Sequence, residues 1–293
     1  MPEHFKGLAL TVAGVLIITP DSLLVRLISA DQWTLIFWRG VLTGLALLAY
    51  LGIRERRRLV AAFQAIGTDG IMVAALFAGS TIFFVMSLTH TRVANTLIIL
   101  AAIPLFAALL GRLFLSEAVE RRTWIAIAAA LGGLLLILVD DLGSGSLLGD
   151  ISAFATAFCV AGSFVAIRRR PNVDMIPAMA LSGSMIALVA LPLAPTLALR
   201  GDDIPATITL GFVVLPLAMA LLAQGPRYLP VAEVSLIMLL ETVLGPYWVW
   251  LVIGEQPSNL AFLGGAIVLS TLAAHALAGL RRTPELQATG RIP

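Results

Sequence analysis

The stretch ETVLGPYWVW places Glu241 inside the apolar run VAEVSLIMLLETVLGPYWVWLVI, with Gly245 and Pro246 within five residues of it. A charged side chain facing lipid at the bilayer centre costs at least ~2.5–3.5 kcal/mol on insertion scales, so this carboxyl must face protein or water. Glu241 comes nine residues into its span, which is about 13 Å along a helix and close to the midplane. Carboxyls at that depth mark substrate pathways and proton relays, so Glu241 is a candidate substrate ligand and proton carrier. Pro246 has no N–H to donate and crowds the carbonyl of Thr242, leaving that carbonyl free for a ligand or water. The stretch therefore predicts a broken, polar-lined helix wall. The competing reading is an uncharged glutamic acid that bonds a neighbouring helix for packing alone.

Asp21, directly after Pro20, is the second candidate. Arg26 and Arg39 lie toward the same side, and an ion pair with either would offset the burial of Asp21, as a gate or as a structural clamp. Phe83 and Phe84 are either an apolar cavity wall or lipid-facing side chains. Tyr247, Trp248 and Trp250 follow Glu241, but at 100° per residue they cannot all face one cavity. Tyr247 is the candidate there, and Trp38, next to Arg39, is another. Trp33 reads as an interfacial anchor.

Gate or hinge candidates are the bends at Pro20, Pro104, Pro216 and Pro246, and polar residues at span ends. Asn95 opens the fourth span and Glu233 the ninth, at opposite faces of the membrane. His90 and Tyr228 each precede one of those spans. Interfacial positions without function are the alternative for all four. Glu117 and Glu255 close the same two spans, and each is expected to bond the N–H groups opening the next helix.

No catalytic constellation stands out. His4, His90 and His275 lack metal-ligand spacing, and neither a GxSxG nor a Walker loop is present. No catalytic residue, metal or cofactor is expected, nor a nucleic-acid partner. Without an ATP-binding domain or an implied ATP-binding subunit, any transport must run on gradients. Gly40 and Gly44 form a GxxxG that suits close helix packing. Cys159, alone, reads as a small packing residue.

The elements that hold these residues follow from composition. Of 293 residues, 59% are apolar and 12% charged, against about half and a quarter in soluble chains. The apolar residues fall in blocks of about 20, the length that crosses a bilayer core. Ten spans are expected, at 8–28, 34–53, 70–89, 93–115, 123–139, 148–167, 176–197, 207–225, 232–253 and 260–280. With a cytoplasmic N-terminus, 14 Lys and Arg fall on the cytoplasmic side and two, Arg92 and Arg200, opposite. That asymmetry places both termini in the cytoplasm.

The chain also repeats. Val93 and Glu117 recur as Val231 and Glu255, offset by 138. Gly7 and Arg26 recur as Gly149 and Arg168, offset by 142. These matches predict two five-helix units, at 1–141 and 142–282, with a cytoplasmic tail at 283–293. An odd number of spans per unit inverts the second, and inverted repeats around a midplane site mark secondary transporters.

The segments RVANTLIILAAIPLFAALLGRLFLSE (92–117) and PVAEVSLIMLLETVLGPYWVWLVIGE (230–255) carry a family resemblance. Each has a small-residue start, a proline within the helix and a closing (G/S)-E. The chain resembles the drug/metabolite transporter superfamily in its ten-helix EamA-type branch, and within it the YddG-like exporters of aromatic and other amino acids. The resemblance implies export of small metabolites across a bacterial inner membrane, through a central cavity lined by the first, third and fourth helices of each half. It departs at the prolines: Pro104 aligns with Thr242, not Pro246, so the halves are expected to bend at different depths. The reading is thus an all-α membrane protein of ten transmembrane helices, two inverted repeats around a central cavity. It would move apolar or aromatic amino acids outward by alternating access. The alternative is a carrier of cationic drugs, nucleotide sugars or lipid-linked sugars.

Overall fold

The structure, a computed structural model, describes residues 3–91, 93–139, 147–254, 263–264, 266–271 and 273–274. The described residues are helical, with no β-strand among them. In chain order the helices are α1 (Glu3–Ile18), α2 (Asp21–Leu27), α3 (Gln32–Glu55), α4 (Leu59–Ala65), α5 (Gly67–His90), α6 (Val93–Leu100), α7 (Ile103–Leu115) and α8 (Arg121–Val139). They continue as α9 (Leu147–Arg168), α10 (Ile176–Ala190), α11 (Asp203–Ile208), α12 (Leu215–Leu222), α13 (Gly225–Tyr228) and α14 (Val231–Ile253). Among the described residues six stretches are long and apolar enough to cross a membrane: Glu3–Leu27, Gln32–Ala65, Gly67–His90, Leu147–Arg168, Asp203–Tyr228 and Val231–Ile253. Ile103–Leu115 and Ile176–Ala190 are shorter apolar helices. Most of the expected tenth span, with Glu255 and the 141/142 unit boundary, lies outside the described residues.

Several boundaries differ from expectation for identifiable reasons. The first span breaks at Thr19 and Pro20, and a new helix starts at Asp21. The seventh ends at Ala190 rather than at 197, because Pro192 and Pro195 cannot donate the bonds that would extend it. The eighth is interrupted by a π-helical turn, Thr209–Val214, immediately before Pro216. The fourth breaks between α6 and α7, two residues before Pro104. By contrast α14 runs unbroken through Pro246. The expected break in the ninth span is therefore absent, whereas the fourth, its counterpart in the first half, is broken.

Packing relies on small residues, as expected where lipid removes the hydrophobic drive between helices. The α3 and α10 backbones meet at Gly40, Gly44 and Gly183. A Cβ on Gly40 would lie 2.7 Å from the Gly183 carbonyl oxygen, and one on Gly183 would lie 2.6 Å from that of Gly40. Neither position tolerates a side chain without moving the helices apart. The main core gathers residues from α1, α3, α5, α7, α9, α10, α12 and α14. A smaller cluster joins α7, α8 and α14 through Ala108, Ile127 and Leu236.

Each end of the molecule is tied by polar contacts. At one end Arg54 bonds Asp174 (2.7 Å), Arg170 bonds Asp69 (2.6 Å) and Arg168 bonds Glu117 (2.8 Å). At the other, Ser29 donates to Asp203 and Thr34 donates to the Thr196 carbonyl. Arg200 reaches Ser29 at this second end, away from the arginines of the first.

Candidate functional site

One cavity collects single faces of several helices. Phe77, Ser80, Thr81 and Phe84 come from α5, at the i, i+3, i+4, i+7 spacing that shares a helix face. Thr156, Val160 and Phe164 come from α9 at i, i+4, i+8. Leu215, Met219 and Leu222 come from α12, and Met238 and Glu241 from α14. Leu100 and Ile103 reach it from either side of the α6–α7 break, and Asp21 and Arg39 enter from α2 and α3. The centres of water-sized molecules can occupy about 70 Å³ of it, room for roughly five waters or a small solute group.

The wall is mainly apolar, with its charges concentrated on three side chains. Arg39 grips Asp21 with both terminal nitrogens, Nη1 to Oδ1 at 2.5 Å and Nη2 to Oδ2 at 2.9 Å. Both side chains are only 3% exposed. The break at Pro20 makes this possible, because it puts Asp21 at the start of a new helix that faces α3. Of the two partners that the sequence allowed for Asp21, Arg39 is the one it meets, while Arg26 is exposed. The Arg39 guanidinium also lies 6.0 Å from the Phe84 ring centre, within cation–π range. Its Nε–H is buried and has no hydrogen-bond partner among the described residues.

Glu241 is 7% exposed and lines the same cavity. Among the described residues its carboxyl has no hydrogen-bond or ion-pair partner. The packing reading, in which a neighbouring helix bonds this carboxyl, has no such bond among those residues. The hydroxyls nearby are turned back on their own helices, Ser80 to the Phe77 carbonyl (2.8 Å) and Thr156 to the Ser152 carbonyl (2.9 Å). Each keeps oxygen lone pairs that can accept from a ligand.

The other sequence candidates disperse. Thr242 is buried, and its hydroxyl donates to the Leu239 carbonyl at 2.7 Å rather than lining the cavity. Phe84 lines the cavity and Phe83 does not. Tyr247 is 44% exposed and stacks edge-on with Trp248 and Trp250. Trp38 donates its indole N–H to the Leu197 carbonyl at 3.0 Å, outside the cavity. Trp248 donates to Thr19 Oγ1 at 2.9 Å, tying α14 to the break beside Pro20. Gly245 packs against Ser22 and Leu97.

Pro104 and Pro216 each stand at the start of a helix that follows a break or a π turn. Glu233 meets His4 Nε2 at 3.1 Å and Arg122 Nη2 at 3.5 Å. Tyr228 lies under the Lys6 ammonium at 4.9 Å. His90 Nδ1 sits 2.8 Å from the Met86 carbonyl. Asn95 is in the first turn of α6, five residues before Leu100, the cavity residue of that helix, and its side chain lies outside the described part. Glu117 departs from expectation: it accepts from the Val231 N–H opening α14 (3.3 Å) and from Arg168, not from the helix that follows it.

Sequence reading missed Phe77, Ser80, Thr81, Thr156, Phe164, Met219 and Met238. The adjacent Ser80 and Thr81, one turn from Phe77 and Phe84, were the signal that could have found the α5 face. No group of three or more His, Cys, Asp or Glu able to hold a metal occurs among the described residues.

No curated protein matches the chain. One crystal structure, described only as that of a protein, superposes with a TM-score of 0.80 over 94% of this chain and 98% of its own. At 16% identity that is a likeness of fold. The sequence profile of the EamA-like transporter family matches residues 5–139 and 147–274. An all-helical body of apolar spans, enclosing a small cavity with its charges inside, agrees with that match: the chain belongs to the EamA-like transporter family, membrane proteins that carry small molecules.

Proposed function

We propose that this chain exports small amine-bearing metabolites, amino acids with apolar or aromatic side chains first among them, by alternating access. One observation carries the reading. The uncommitted Glu241 carboxyl shares a cavity with an Asp21–Arg39 pair that neutralises itself and with walls of Phe77, Phe84, Phe164, Met219 and Met238. Glu241 receives the ammonium, the apolar wall takes the side chain, and the free Nε–H of Arg39 is the donor for a carboxylate.

The inverted five-helix repeat supplies the moving parts. Its support is a set of contacts that exchange between halves. Gly7 lies against Tyr228 and Leu229, as Gly149 lies against His90 and Thr91. The α1 helix packs on α12 and α13 as α9 packs on α5, and α1 packs on α14 as α9 packs on α6 and α7. Gly40 and Gly183 face each other across the relation that swaps the halves.

The same charge balance gives the second reading. With Arg39 engaged by Asp21, the uncommitted charge among the described cavity residues is a carboxyl, which suits a cationic drug as well as a zwitterion. Phosphate-bearing sugars are disfavoured, because they would need free buried Arg or Lys. Reconstitution into liposomes separates the readings. Labelled leucine, phenylalanine, an aromatic amine without a carboxylate, and a nucleotide sugar are offered in turn. The account expects saturable uptake of the amino acids. Uptake of the amine alone moves the assignment to cations, and uptake of the nucleotide sugar alone overturns it.

A further inference from the structure

Most arginines at the Glu117 end are committed within the protein. Arg54 holds Asp174, Arg122 holds Glu120, Arg168 holds Glu117, Arg169 and Arg170 face Asp69, and Arg227 bonds the Pro171 carbonyl. Arg56, Arg57 and Arg58 are different. They are consecutive and exposed, and they have no acidic partner among the described residues. The adjacent Glu55 is turned to Arg54 Nε at 3.3 Å.

The backbone presents this run deliberately. Arg56 adopts φ 47°, ψ −110°, a conformation that a side-chain-bearing residue takes only when its surroundings impose it. It stops α3 and throws the three guanidiniums onto a single 3₁₀ turn. The α4 helix behind them is fixed to the protein, because Leu59 and Phe63, one turn apart, pack on the core and Ile66 is 2% exposed. Beside the arginines stand Ile53, 77% exposed, and Val60, 69% exposed. Exposed apolar side chains next to a rigid basic turn fit the boundary between acyl chains and headgroups. There the apolar groups enter the hydrocarbon edge and the guanidiniums meet phosphates.

We infer that Arg56, Arg57 and Arg58, held by α4, form a docking site for the phosphate headgroups of anionic phospholipids. Basic clusters immediately beside a transmembrane helix gain attraction from each added cation at an anionic surface, and here three are uncommitted and pre-positioned. The site is independent of the cavity, so its failure leaves the transport reading untouched.

Nanodiscs test it with the full chain. The thermal unfolding midpoint is compared in phosphatidylcholine discs and in discs one-third phosphatidylglycerol. The wild type should melt several degrees higher with phosphatidylglycerol, and high salt should remove the rise because exposed charges are screened. Arg56→Gln/Arg57→Gln/Arg58→Gln should melt like the wild type in phosphatidylcholine and lose most of the rise. Inorganic phosphate added to phosphatidylcholine discs should give none. A rise that survives the triple substitution, its absence in the wild type, or its reproduction by inorganic phosphate each overturns the inference. Should the triple variant fold poorly, native mass spectrometry of the wild type decides: retained phosphatidylglycerol in preference to phosphatidylcholine supports the site, and no preference overturns it.

Discussion

At the residue scale the Asp21–Arg39 pair and Glu241 divide the work of burial. A fully buried ion pair is weak evidence of stability, yet removing one partner strands a charge. Asp21→Ala should therefore destabilise the protein by about 3–5 kcal/mol. Asp21→Ala/Arg39→Met should cost much less, because no charge is left behind. Denaturant unfolding in detergent measures both. A double variant no more stable than the single would show that Arg39 is not what Asp21 supports. The sequence made Glu241 and Asp21 legible, since a carboxyl in an apolar span has to be explained. It left the partner of Asp21 open between Arg26 and Arg39, because the direction of α2 depends on the turn at Pro20. The cavity hydroxyls and phenylalanines were not legible. Helices apolar on every side carry no pattern that says which face meets a cavity.

At the element scale the apolar helices were readable and their interruptions only in part. Apolar length marks a crossing, but whether a proline breaks a helix depends on what satisfies the freed groups. Pro104 and Pro216 follow interruptions, whereas α14 continues past Pro246. Glu117 shows the same dependence on tertiary structure. Ser116, at φ 55°, ends α7 and swings Glu117 away from its axis. The carboxylate then joins Arg168 at the end of α9 to the Val231 N–H that opens α14. One side chain thus links both halves of the chain, and it does so on the helix that bears Glu241. Glu117→Gln keeps the shape and removes the charge, and charge-assisted bonds are about twice as strong as neutral ones. Amide hydrogen exchange at the start of α14 should quicken about tenfold, equivalent to ~1.4 kcal/mol, with the α3–α10 crossing unchanged. Equal exchange in the variant and wild type would deny Glu117 this latching role.

At the scale of the whole molecule, several of the basic residues that the sequence assigned to one side of the membrane sit in polar contacts among the described residues. Arg54, Arg227 and Arg168 are linked in turn through Asp174, Gln224 and the Arg227 carbonyl, and Arg168 goes on to Glu117; Lys6 lies over Tyr228 and Arg122 meets Glu233. Arg200 lies with Ser29 instead. If the end that holds Arg54 and Arg168 is cytoplasmic, single cysteines in a Cys159→Ser background will report it. Arg200→Cys should react with an impermeant maleimide in intact cells, and Arg57→Cys should react at least tenfold more after permeabilisation than before. The reverse pattern would invert the topology and with it the direction assigned to transport. The exchange of Gly7 and Gly149 contacts is what supports the two-part motion proposed above. Such motion exposes one site to each side in turn, and that separates a carrier from a pore.

Counterflow measures this directly. Liposomes loaded with excess unlabelled phenylalanine are diluted into a trace of labelled phenylalanine, with wild type and with Glu241→Gln of equal folded yield. The account predicts transient accumulation of label above equilibrium for the wild type, and at least a tenfold smaller initial rate for Glu241→Gln. Label that only equilibrates, or a Glu241→Gln variant that accumulates it as well as the wild type, would contradict a carrier working through this carboxyl.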